Sequence, residues 1–162
     1  MEYFQNVVGD FLRAKRTLFL NSEFFLPLHE GELAPKKGTS WVVDYLAVDF
    51  ELKTVFLCEV TYSQSLSTLL KRLSAWSDQW NLVCKALRRD AKLPAEYPIQ
   101  PWVFVPDKEK FWKKYNALNL APSLMPSPKV TLLEDTVPWK YRTFDRKDIE
   151  EGNTQFKPKV EM

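Results

Sequence analysis

Two carboxylates stand where a soluble chain rarely leaves them unexplained. Asp44 and Glu59 lie inside the apolar runs Trp41 to Phe50 and Val55 to Tyr62, which are rich in Val, Tyr, Phe, Thr and Leu, the composition of strands. Between the runs, Glu51 to Thr54 is polar, so the stretch reads as a hairpin. With Leu52 and Lys53 as a two-residue loop, Glu51 faces Thr54, Asp44 faces Thr61 and Leu46 faces Glu59. Alternation along the strands then brings Asp44, Glu59 and Thr61 to one side of the sheet. Directly opposed Cβ atoms lie about 4.5–5.5 Å apart and diagonal ones about 7–8 Å, close enough for two carboxylates to converge on one cation. Unpaired in apolar surroundings, each would cost several kcal/mol, and a divalent metal would relieve that cost.

The elements that must position this pair follow in chain order. Residues 2 to about 20 carry a helical apolar stripe through Tyr3, Phe4, Val7, Val8, Phe11, Leu12, Ala14 and Leu18. Asp10 borders that stripe, as a solvated acid or as a further acid at the metal site. A short strand is expected around Phe24, Phe25, Leu26 and Leu28, and residues 30 to 40 form an exposed turn. After the hairpin, residues 63 to 67 offer N-cap candidates for one long helix reaching Ala91, with Leu66, Leu69, Leu70, Leu73, Trp76, Trp80, Val83, Cys84 and Leu87 inward. Lys71, Lys85 and Arg89 then fall within about 40° of one another around the axis, with Arg72 and Arg88 beside them. These five are either a solvated face or a track for a phosphate backbone. Trp102 to Val105 reads as a buried strand. Asp107 is placed to cap a helix over residues 108 to 118, Lys129 to Glu134 forms another strand, and Trp139 to Phe144 an edge segment. Residues 1–144 form a single α/β domain, and 145–162 a charged surface tail. Strands joined by long helices require parallel pairing with right-handed crossovers, so the fold is a mixed central sheet flanked by helices.

Composition narrows the chemistry. The 162 residues suit one core, and 45% hydrophobic with 27% charged residues is the balance of a soluble protein. A net charge of +2 means that nucleic-acid affinity must come from a local patch. His29 is the only histidine, which removes two-histidine zinc motifs and leaves a serine–histidine–aspartate triad dependent on that one loop residue. Four glycines and no GxGxxG or GxxxxGK[ST] leave little for a phosphate-cradling loop. Cys58 and Cys84 read as reduced core residues. With no membrane-length apolar run and no signal-peptide pattern, a cytoplasmic protein is expected.

Asp44, the fifteen-residue gap, Glu59-Val60-Thr61 and the amphipathic helix that follows resemble the PD-(D/E)XK nuclease superfamily, whose restriction-endonuclease-like core is a three-layer sandwich. The resemblance covers roughly residues 1 to 106. Val43 stands where proline is usual, and Thr61 where the motif has lysine. The resemblance implies hydrolysis of DNA phosphodiesters with Mg²⁺ (or Mn²⁺) held by Asp44 and Glu59; cutting both strands would call for a homodimer, from the two-fold symmetry of a duplex target. A neutral Thr61 can orient water but cannot offset charge on phosphorus. Lys71 or Arg72 could reach back as a displaced cation, Gln64 could position the water with the metal acting alone, or the site is degenerate and the protein binds DNA or a partner without cutting.

Overall fold

The computed structural model describes residues 2–63, 66–118 and 124–141. Helix α1 (Glu2–Arg13) leads into strand β1 (Leu18–Pro27), followed by β2 (Ser40–Asp49) and β3 (Thr54–Val60). Helices α2 (Ser67–Asp78) and α3 (Trp80–Ala91) connect to β4 (Ile99–Val105), and α4 (Glu109–Ala117) connects to β5 (Lys129–Leu132). The five strands form one mixed sheet in sequential order: β1, β2 and β3 are antiparallel neighbours, whereas β3–β4 and β4–β5 are parallel.

Two cores sandwich the sheet, giving three layers. Val8, Phe11 and Leu12 of α1 pack on Tyr45, Ala47, Phe56, Cys58, Trp102 and Phe104. On the other face, Leu69, Leu73 and Trp76 of α2, Val83 and Leu87 of α3, and Phe111 and Trp112 of α4 cover Leu46, Val55, Leu57 and Val103. The connections from β3 to β4 and from β4 to β5 run in the same direction along the sheet, and crossovers of one hand then place α2, α3 and α4 on one face. Gly9 lets α1 lie close to β2: a Cβ there would sit 2.5 Å from the Tyr45 hydroxyl, which donates to the Gln5 carbonyl at 2.7 Å.

Several elements depart from the sequence reading. The first helix ends at Arg13 and β1 begins at Leu18; Leu18, Phe19 and Leu20 extend the helical stripe but also suit a strand. The predicted long helix is two, broken at Gln79 (φ −122°, ψ 26°), so the angular alignment of Lys71 with Lys85 and Arg89 does not carry across the break. Asp107 does not cap α4; Lys108 holds that position without a side-chain cap, and the Asp107 carboxylate accepts from the Trp112 indole N–H at 3.4 Å. Residues 133–135 and 138–140 are 3-10 turns rather than strand. The 145–162 tail lies outside the described residues.

The hairpin closes through four residues, Phe50 to Lys53, rather than two. Asp49 explains this. Its Oδ1 accepts the Glu51 and Leu52 amides at 3.0 and 3.2 Å and the Thr17 hydroxyl at 3.2 Å, while Oδ2 meets the Lys15 ammonium at 2.7 Å in a pair almost wholly buried. Asp49 therefore pairs with Thr54, and Tyr45 with Cys58. The register is slipped by two residues from the one expected. Because side chains alternate with period two, an even slip keeps Asp44 and Glu59 on one face.

Candidate metal and phosphodiester site

Continuing that ladder by one rung sets Asp44 opposite Glu59, on the face covered by α2. The strand is strained at this point. Glu23 adopts φ 52°, and the β1–β2 ladder passes from Ser22↔Tyr45 to Phe24↔Val43 without the rung that holds Glu23 and Asp44. Trp41 and Val43 belong to the α2–α3 core, whereas Tyr45 and Ala47 belong to the α1 core. The ribbon coils from one core to the other at Asp44, which brings this carboxylate to the end of the neighbouring strand.

The Asp44 Oδ2 accepts the Val60 amide at 2.7 Å, which sets its carboxyl near enough to Glu59 for the two charges to act on one another. Glu59 is 6% exposed, and its Oε1 receives the Arg72 guanidinium at 2.6 Å. The same Arg72 nitrogen lies 3.3 Å from the Val42 carbonyl, so one α2 side chain spans from the start of β2 to the end of β3. Burial pushes Glu59 up to about 8, opposed by Arg72 and reinforced by Asp44. Asp44 is also raised, chiefly by burial, with the Val60 amide and Arg72 pulling it down and Glu23 adding repulsion. With Glu59 pushed up to about 8, its carboxyl is mostly protonated at neutral pH. A proton on one of two neighbouring buried carboxyls relieves the repulsion that a cation would otherwise offset.

The remaining expected residues fall as follows. Thr61 follows directly on β3: its amide donates to the Phe104 carbonyl at 3.0 Å, and its hydroxyl accepts the Ser63 amide at 3.3 Å. Gln64 lies outside the described residues. Lys71 is exposed on α2, and Lys85 is exposed on α3. Arg88 donates to the Tyr97 carbonyl at 3.4 Å. Arg89 donates to the Pro27 carbonyl at 2.9 Å and pairs with Asp90 at 2.7 Å; these two arginines tie α3 to neighbouring chain. Asp10 is solvated and pairs with Arg13 at 3.7 Å. Glu23 escaped the sequence reading, although its charge reaches Asp44; the signal that would have found it is a lone acid one ribbon-width from Asp44 in an extended β1.

Among the described residues no group of three or more His, Cys, Asp or Glu side chains could hold a metal ion. The donor set is two carboxylates. That set fits Mg²⁺, which keeps several of its waters and is commonly bound through one or two carboxylates together with substrate phosphate oxygens. It does not fit a structural zinc, which needs four nitrogen or sulfur donors.

No family model matches the chain, and no curated protein matches it. Among solved structures the chain is similar to an XisH family protein from Nostoc punctiforme, at 15% identity and a TM-score of 0.46, over 83% of this chain and 94% of that one. At that level the likeness assigns nothing to individual residues here. No described helix is long and apolar enough to cross a membrane.

Proposed function

We propose that the chain is a divalent-cation-dependent nuclease that hydrolyses phosphodiester bonds of DNA, with Asp44 and Glu59 as cation ligands and Arg72 as the cation that replaces the motif lysine. The observation that carries this reading is the placement of two acids at the end of the β2–β3 ribbon, Asp44 on the Val60 amide at 2.7 Å and Glu59 on Arg72 at 2.6 Å. The order of elements and the Asp44…Glu59-Val60-Thr61 pattern, which resemble the PD-(D/E)XK superfamily, support it.

In this reading Asp44 and Glu59 would hold Mg²⁺ or Mn²⁺, with Glu59 in its ionised form. When bound, the cation would polarise the phosphate and acidify a water. Arg72 contributes what Thr61 cannot: a positive charge beside the carboxylates that offsets charge gathering on the phosphate oxygens. The Val60 amide holds Asp44 in place, so the ligand is oriented before the cation arrives.

A second reading has its own observation. Arg72 is already spent on Glu59, and the Thr61 hydroxyl is engaged in a turn, as in a site that binds nucleic acid without cutting it. Supercoiled plasmid incubated with Mg²⁺ or Mn²⁺ separates the two. Nicking by the native protein and none by Asp44→Asn is expected. Absence of nicking by the native protein, or nicking by the variant at the native rate, overturns the nuclease reading.

A further inference from the structure

A groove of about 630 Å³ opens next to the carboxylate pair. Its walls carry Lys36 and Lys37 from the β1–β2 loop and Lys71 and Arg72 from α2, and its floor includes Trp41 and Val42 of β2. No acidic side chain lines it among the described residues. Lys36, Lys37 and Lys71 enter no ion pair among those residues. Val42 leaves 40% of its surface open on a strand whose Trp41 and Val43 are buried. Arg72 joins the groove to the site, since one guanidinium nitrogen touches both the Val42 carbonyl and Glu59.

The basic loop is built, not loose. Ser40 and Thr39 amides return to the Lys36 carbonyl at 3.0 and 3.2 Å, and the Lys36 amide donates to the Ser40 hydroxyl at 2.6 Å. Gly38 supplies the left-handed φ of 83° that the turn needs. Gln79, at the break between α2 and α3, donates to the Gly38 carbonyl at 3.2 Å. The helix break thus holds the lysines at the groove mouth.

We propose that this groove receives an unpaired nucleotide adjoining the scissile phosphate, so that the substrate is nucleic acid with a single-stranded segment. The inference rests on the phosphodiesterase reading and extends it to substrate form. A duplex presents a convex shell of sugars and phosphates with its bases stacked inside, which would engage the lysines and leave the apolar floor uncovered. A single strand turns a base inward onto Val42 and the exposed rim of the largely buried Trp41, while its phosphates follow Lys36, Lys37 and Lys71. Basic walls with apolar or aromatic surface between them are the features by which proteins hold single strands, and the volume lies within the range of sites that enclose one small ligand.

Fluorescence anisotropy of the native full chain in EDTA, with a labelled oligonucleotide of about twelve nucleotides and the blunt duplex of the same sequence, tests this without cleavage. The single strand is expected to bind at least about tenfold tighter than the duplex. Lys36→Ala with Lys37→Ala, both exposed positions, should reduce the slope of log K against log salt by about 1.4, from about 0.7 per phosphate contact to a single strand. Val42→Lys keeps the charge positive and covers the apolar floor, and should bring the two probes toward equal affinity. Duplex binding as tight as single-strand binding, no binding of either probe, or an unchanged salt slope in the double variant overturns the proposal. Cleavage of duplex without strand preference removes this inference alone; single-strand binding without cleavage removes the nuclease reading alone.

Discussion

Metal-free protein should lose stability as pH rises, because Glu59 must ionise inside the fold. An acid raised in the folded state favours folding while it is protonated in both states, and that advantage is lost as pH climbs from the unfolded value to the folded one. For Glu59 those limits are its ordinary 4.5 and about 8, a span of about 3.5 pH units. At about 1.4 kcal/mol per unit, the loss is on the order of 5 kcal/mol, most of it between pH 5 and 8. Little side-chain solvent access remains to soften this, since Glu59 is 6% exposed. Asp44 is shifted in the same direction, also chiefly by burial. Glu59→Gln keeps an acceptor for Arg72 and cannot ionise, so its stability should be nearly flat over the same range and exceed that of the native protein at pH 9. Urea unfolding of both proteins in EDTA at pH 5, 6, 7, 8 and 9 measures the difference, in which titrations elsewhere in the chain cancel. Parallel curves from pH 5 to 9 would refute the description of Glu59 as a buried, protonated acid.

Other outcomes follow from the same geometry. Arg72→Met should lower plasmid nicking by about 10²- to 10³-fold, the usual cost of removing one group that stabilises developing charge, and Arg72→Lys should restore part of it; equal rates in all three proteins would leave Arg72 without the assigned role. Lys15→Met should cost about 3–5 kcal/mol in urea unfolding, because it leaves Asp49 charged and buried. In the native protein the stability from that pair is lost on acidification below the ordinary Asp value of 3.8, since Asp49 is lowered by Lys15 and the turn amides despite its burial; an acid transition unaltered by Lys15→Met contradicts this. Gly9→Ala should destabilise by about 1–3 kcal/mol through its clash with the Tyr45 hydroxyl, and by less in a Tyr45→Phe background.

The hairpin and its two acids were legible because their signals are local: apolar strand residues flank each carboxylate, and parity decides the face. Parity survived an error in loop length only because Asp49 closes the turn two residues earlier than a minimal loop would, an even slip. The break at Gln79 was hidden by the apolar spacing of three and four that continues from Trp76 through Trp80 to Val83. Leu18 to Leu20 satisfy helical and strand periods alike, so only pairing with β2 decides for strand. Arg72 was one of several candidate cations by position alone; its choice depends on α2 crossing over the end of β3. Glu23 and the Lys36–Lys37 turn gave only local signals, a lone acid and an exposed turn, because their roles come from chain segments that meet only in the folded sheet.

Isothermal titration of Mn²⁺ into native protein and Asp44→Asn, each in two buffers of different ionisation heat at pH 7, addresses the carboxylate pair directly. The account predicts one site in the native protein, release of about one proton on binding, and loss of the site in the variant. Mn²⁺ binding that is absent from the native protein, or retained unchanged in Asp44→Asn, would contradict it.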